Sequence, residues 1–350
     1  MLLANARISY RRSGFKLEPR MLTVGLGDVP GLTPVDGGAM LVISHKGGKS
    51  GHRTGAEYVL SQSDGEIARW REELQLGRDG QPFAGVHIVA DDASPDTCLA
   101  LLALVRRLAG QGLPPVFVDY AARWEAGEVR STGEPERSWG ALHSALVHTH
   151  FDRDRGAIDL AGALEHGISY IEALIAADID PASVPDTFVH PLHRIARARL
   201  LAERQRYRRI RDAAPKLQFA VPLAGTRRRR LVDGIILIET NPTGALKAWL
   251  RTDRETFTGD GFALMAIYRP DPEGGISDMS VSVDPDAGLS LVDLWAELER
   301  REDAAWAAAN EERPRRKPRP LQSFAGPAAT WPEGVTPSTS PWWDDYGRHT

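Results

Sequence analysis

The sequence predicts an α/β protein: a parallel sheet in an N-terminal domain, a linker helix, and a smaller α+β C-terminal domain. Three observations carry this. Short β-branched runs alternate with helix-period segments through the first half. Gly, Asp and Pro clusters punctuate them. Further on, three strand-like runs follow one another with turn residues between.

The elements follow in order. Met21 to Leu26 reads as a short strand and Gly27 to Pro34 as a loop. Ala39 to Ser44 is a buried-type strand that delivers His45 into Lys46-Gly-Gly-Lys-Ser50. That loop has a superficial likeness to a phosphate-binding loop, but the motif's first Gly would fall on Ile43, so it reads as a flexible connection. Residues 56–84 fit a helix or a hairpin equally well. Residues 85–90 form the next strand, ending at Asp91 and Asp92. Ser94 or Asp96 then caps a helix, with Pro95 in its first turn, that runs to about Leu108 and stops at Gly110-Gln-Gly112. Pro115-Val-Phe-Val118 reads as a strand that delivers Asp119. A strand, helix, strand order of this length joins parallel neighbours with right-handed topology. The strand ends then share one edge, where His45, His87, Asp91, Asp92 and Asp119 converge if His87 turns toward it.

Trp139 to His150 has helical spacing, with His143 off its apolar stripe. Residues 158–177 form a helix or a kinked pair, and an arginine-rich helix spans about His190 to Ala214. Strands follow at 231–238, 261–268 and 279–283 in an antiparallel module closed by a helix from Leu289 to about Ala309. The expected organisation is a metal-binding α/β domain over 1–185, a linker helix over 186–222, a small α+β domain over 223–310 and a Pro-rich tail over 311–350. The tail's aromatic end, Pro341-Trp-Trp-Asp-Asp-Tyr346, is expected to dock on a surface, which makes it a candidate contact for a protein partner.

Composition narrows the classes. A chain of 350 residues exceeds one ordinary domain. A net charge of -4 argues against a global nucleic-acid footprint. Cys98 is the single cysteine, so no internal disulfide forms and a reducing cytoplasm is expected. The run after Met1 is too short for a secretory signal, and no later run reaches membrane-span length. No serine elbow is present, and Cys98 has no base beside it in sequence.

The candidate chemistry is metal binding. His87, Asp91, Asp92, Asp96 and Asp119 are expected metal ligands, joined by His148, His150 and Asp152 from the cluster that ends at Asp154. Carboxylates and imidazoles together suit Mn²⁺ or Mg²⁺. On a helix, however, His-x-His sends its rings to different sides, and a solvated helix end is the plainer reading of that cluster. His190 and His193 are expected at the surface. Arg227 and Arg228 add positive potential for an anionic ligand, and loops holding Asn241, Gly259 and Gly261 allow close approach, although ordinary turns use the same residues. The arginines of the long helix are expected to be a polar connecting surface rather than a nucleic-acid site.

His87-x-x-x-Asp91 after a strand, the helix with Cys98-Leu-Ala-Leu-Leu102, and Asp119 together resemble the DHH phosphoesterase superfamily. The resemblance implies a two-domain metal-dependent phosphoesterase. His87, Asp91 and Asp119 would be ligands, with Asp92 in support, and the C-terminal domain would bind a phosphorylated small molecule, nucleotide or short oligonucleotide. The chain departs from the family pattern at Ala93, where a second aspartate is usual, and at Tyr120-Ala121, where two histidines follow the aspartate. A non-catalytic binding or assembly subunit and a nucleic-acid-binding module are the alternatives.

Overall fold

The computed structural model describes residues 2–10, 16–26, 29–44, 53–129, 132–152, 157–222, 227–238, 244–269 and 278–287, then 289, 296–297, 300–301, 304, 307 and 342–343. The chain forms two compact units. One comprises Met1–Glu125, Thr132–Glu203 and Thr243–Ala245, and the other Ala126–Ser131, Arg204–Pro242 and Leu246–Thr350.

The first unit is α/β. Its elements are β1 (Arg7–Tyr10), β2 (Met21–Val24), β3 (Gly31–Val35), β4 (Gly38–Ile43), α1 (Gly55–Ser61), α2 (Asp64–Leu74), β5 (His87–Ala90), α3 (Pro95–Leu108), α4 (Pro115–Glu125), α5 (Trp139–His148), β6 (Phe151–Asp152), β7 (Ala157–Ile158) and α6 (Leu160–Ala176). The sheet order is β1-β5-β2-β4-β3, parallel except for β3, which pairs antiparallel with β4. All four residues of β2 are buried, as the apolar run of an interior parallel strand requires. Met21, Leu26, Met40, Val42 and Val89 make one core cluster.

α3 is central to this unit. Pro95 through Leu104 are all buried, because Cys98 to Val105 is an unbroken apolar run and the helix packs against α1, α2, α4, α5 and α6. Its start is set by Ser94, whose side chain accepts from Thr97 N, with Pro95 pre-set for the first turn. Thr54, Ser63, Ser138 and Asp159 cap α1, α2, α5 and α6 in the same way.

α7 (Pro191–Ala213) has residues in both units. The second unit adds β8 (Lys216–Pro222), β9 (Arg229–Ile238), α8 (Gly244–Thr252), β10 (Phe262–Arg269), β11 (Asp278–Val283) and β12 (Trp342–Trp343). The order is β12-β11-β10-β9-β8. β9 and β10 are parallel, joined through α8, and the other pairs are antiparallel.

Several expectations are corrected. Residues 115–118 open α4 and are not a strand, so the proposed strand, helix, strand crossover to Asp119 does not exist. Residues 56–84 hold two helices, and 158–177 hold one continuous helix. The second sheet is mixed rather than antiparallel, and β8 lies inside the span expected to be linker. His45, the Lys46–Ser50 loop and most of the Leu289–Ala309 segment fall outside the described residues. Among the described residues, no helix is long and apolar enough to cross a membrane.

Candidate functional site at the rim of the parallel sheet

Tyr10 pairs with Ala90, Ala90 with Val24, and Val24 with Ile43, so the four parallel strands end level with one another. The residues that leave this rim are Gly25, Ser44 and, from β5, Asp91 followed by Asp92. In parallel sheets this carboxyl edge is where ligands bind. Asp91 and Asp92 are half-buried. Asp92 Oδ1 accepts from Ser94 N at 3.2 Å and from Thr97 Oγ1 at 2.6 Å, which fixes the turn onto the start of α3. Beneath it, His143 Nε2 donates to the Ala93 carbonyl at 2.7 Å, and the Cys98 thiol lies 3.7 Å from the same oxygen. His143 is wholly buried, where the sequence placed it off the apolar stripe, and burial pushes its pKa down to about 4. Burial, with Asp92 and Asp96 nearby, holds the Cys98 thiol well above its ordinary value, so it is an inert packed group.

Of the other expected ligands, His87 lies at the far end of its strand, and Asp96 and Asp119 are engaged by other groups. His87 is the first residue of β5, paired with Arg7 and Met21, and stands at the opposite end of the strand from Asp91. At about 3.3 Å per residue the two are roughly 13 Å apart. Its Nε2 is 2.9 Å from Ser9 Oγ, and its Nδ1 faces Arg7 and, at 3.3 Å, Glu18. Hydrogen bonding from Arg7 holds the Glu18 carboxyl below its ordinary range. Asp96 is buried, and its two oxygens accept from Gly55 N at 2.8 Å and Ala56 N at 3.1 Å. Those are orphan donors of the first turn of α1, so Asp96 acts as a cap supplied from another helix. Asp119 is exposed on α4, paired with Arg123 at 2.7 Å and Arg53 at 3.6 Å.

His148 ends α5, and Asp152 lies in the short β6, paired with Ala157. His150 is better defined. Its Nδ1 is 3.0 Å from Asp159 Oδ2 and its Nε2 is 3.0 Å from His166 Nδ1. The backbone amide of Gly162 lowers the Asp159 pKa, and burial together with the His150 charge lowers that of His166. The Phe151 ring meets Tyr10 edge-on, with centroids 6.2 Å apart, so this cluster sits by the rim end of β1. The sequence singled out His150 but not Asp159 or His166. Asp159 carries a local N-cap signal, whereas His166 comes beside His150 only because α6 folds back on the hairpin.

In the second unit, Arg227 and Arg228 are exposed just before β9. Asn241 lies outside the described residues. Gly259 and Gly261 have φ of +76° and +80°. A Cβ at Gly261 would collide with the Arg251 carbonyl, so this glycine serves backbone packing there. On α7, Arg199 donates to Leu146 O at 2.6 Å, Arg197 pairs with Asp186, and Arg211 pairs with Asp253 and Glu255. His193 is buried rather than at the surface, with Nδ1 2.8 Å from the Tyr170 hydroxyl. The backbone of Trp342 and Trp343 pairs with β11.

Among the described residues, no three His, Cys, Asp or Glu side chains are placed so that all three could hold one metal ion. A dinuclear cage built on His87, Asp96 and Asp119 does not fit, because His87 is at the far end of its strand and the two carboxylates are already engaged. A hard cation needs less: Mg²⁺ is commonly held by one or two carboxylates together with substrate phosphate and water. Asp91 and Asp92 fit that requirement. Comparison with known protein-family models and with curated proteins finds no match.

Proposed function

We propose that the chain is a divalent-metal-dependent phosphoesterase acting at the carboxyl rim of its parallel sheet on a phosphorylated small molecule, nucleotide or short oligonucleotide. The observation that carries this reading is the placement of Asp91 and Asp92 together at the rim, on a turn held by Ser94, Thr97 and His143. Mn²⁺ or Mg²⁺, when bound, would supply charge neutralisation and a lowered water pKa. The chain's own part is to hold two carboxylates in a fixed place and to present the N-terminus of α3, whose dipole favours an anion. The likeness to DHH phosphoesterases, with a linker helix and a smaller α+β domain, belongs to this proposal, as does a cytoplasmic setting in which Cys98 stays reduced.

The test is hydrolysis of p-nitrophenyl phosphate, bis-p-nitrophenyl phosphate and a set of nucleotides with Mn²⁺ or Mg²⁺. Asp91→Asn is expected to lower any turnover by about a hundredfold or more, in line with loss of a charge-stabilising group. Absence of turnover on every substrate, with no Mn²⁺ bound in calorimetry, would sink the reading. A second reading, a non-catalytic phosphate-binding relative, is favoured by Asp96 and Asp119 being taken up in a helix cap and ion pairs. It predicts metal-nucleotide binding without hydrolysis.

A further inference from the structure

We propose that His150 and His166 form a binding site for one borderline transition-metal cation, of the zinc or cobalt class, oriented by Asp159. The proposal does not rest on the phosphoesterase reading, which uses a hard cation at Asp91 and Asp92. Imidazole nitrogens, unlike carboxylates, suit borderline cations.

The geometry is that of a ligand with its orienting carboxylate behind it. Metal-bound histidines characteristically donate their other ring N–H to a carboxylate, which fixes the tautomer. Asp159 Oδ2 stands 3.0 Å from His150 Nδ1, so Nδ1 carries the proton and Nε2 presents a lone pair. That Nε2 is 3.0 Å from His166 Nδ1. Two nitrogens each about 2.1 Å from one tetrahedral ion are separated by about 3.4 Å. Cation binding thus requires the pair to part by a few tenths of an ångström and each ring to turn its nitrogen from the other ring toward the ion. The proton that bridges the two rings in the metal-free pair shifts to Nε2 of His166, so the exchange is balanced without net proton release. The rings meet at 69° with centroids 4.9 Å apart.

The carboxylate is itself anchored. Asp159 Oδ1 accepts from Gly162 N at 2.9 Å while Oδ2 faces the imidazole. A Cβ at Gly162 would lie 2.9 Å from both Cε1 and Nδ1 of His150 and would overlap the Asp159 carboxylate. The absence of a side chain there lets the His150 ring lie on the first turn of α6. Two imidazoles leave the remaining coordination positions to water.

The test is Co²⁺ titration of the untagged full-length chain, followed by visible absorbance, with Zn²⁺ competition by calorimetry. One ion per chain is expected. His150→Gln and His166→Gln should each weaken binding at least tenfold. Asp159→Asn keeps the helix cap but gives up the acceptor that faces His150, and should weaken binding about tenfold to a hundredfold through lost orientation. Asp91→Asn should leave the Co²⁺ spectrum unchanged. No Co²⁺ binding by the wild-type chain would overturn the proposal and reduce the pair to a hydrogen bond. So would an unchanged affinity in His166→Gln, or loss of the ion in Asp91→Asn, which would put it at the rim instead.

Discussion

His143 Nε2 donates to the carbonyl oxygen of Ala93 across 2.7 Å, tying α5 to the turn that follows β5. His143 Nδ1 is buried without a hydrogen-bond partner. The ring is therefore held neutral inside the protein, against the turn that carries the carboxylates of the proposed site.

This gives a pH dependence of stability with a definite sign. The folded pKa is about 4, below the ordinary value of 6.5. Above pH 6.5 the ring is neutral in both states and its contribution is fully present. As pH falls, the unfolded chain takes up a proton that the native ring refuses, and about 3 kcal/mol is lost by pH 4. Urea unfolding of the wild type and His143→Gln between pH 6.5 and 4.5 should show a shallower slope in the variant. Equal slopes would refute the assignment.

Asp96 should behave as a cap and not as a metal ligand. Asp96→Asn keeps one acceptor and sets an amide against a backbone donor at Gly55 or Ala56, at a cost of about 2 kcal/mol. Denaturant midpoints would read the loss, and Mn²⁺ affinity should stay within twofold of the wild type. A tenfold fall in Mn²⁺ affinity with unchanged stability would return Asp96 to the metal site.

The second unit has its own buried anchor. Arg251 is buried on α8 and donates to Gly127 O at 2.5 Å and to Ser282 Oγ and Val283 O at 2.7 Å each. Arg251→Met leaves those acceptors without their donor and should cost about 3 kcal/mol. Urea denaturation would measure it, and a loss under 1 kcal/mol would mean that water replaces the guanidinium (about one hydrogen bond's net worth).

Local signals were legible where local hydrogen bonds decide the outcome. Ser94, Pro95 and the glycines after Leu108 bound α3 in the sequence as in the structure, because a cap is made by a side chain reaching its own helix. Pro115-Val-Phe-Val118 misleads because a short apolar run has no period of its own. Its continuation through Tyr120-Ala-Ala-Arg-Trp124 extends it as a helix, with Phe117, Tyr120 and Ala121 on the buried side. β1 went unread because Arg7-Ile-Ser-Tyr10 is mostly polar and becomes a strand through its pairing with β5, some eighty residues away.

By itself, the sequence determined the α/β class, the helices α3 and α5 of the first unit, and the delivery of Asp91 and Asp92 by the end of a strand. It could not determine which titratable groups share that rim. Strand position sets His87 at the far end from Asp91, and backbone donors of another helix take up Asp96. The fold-back of α6 puts His166 against His150. Each is settled by contacts between residues distant in the chain, where hydrogen-bond satisfaction in a low-dielectric interior outweighs any local preference.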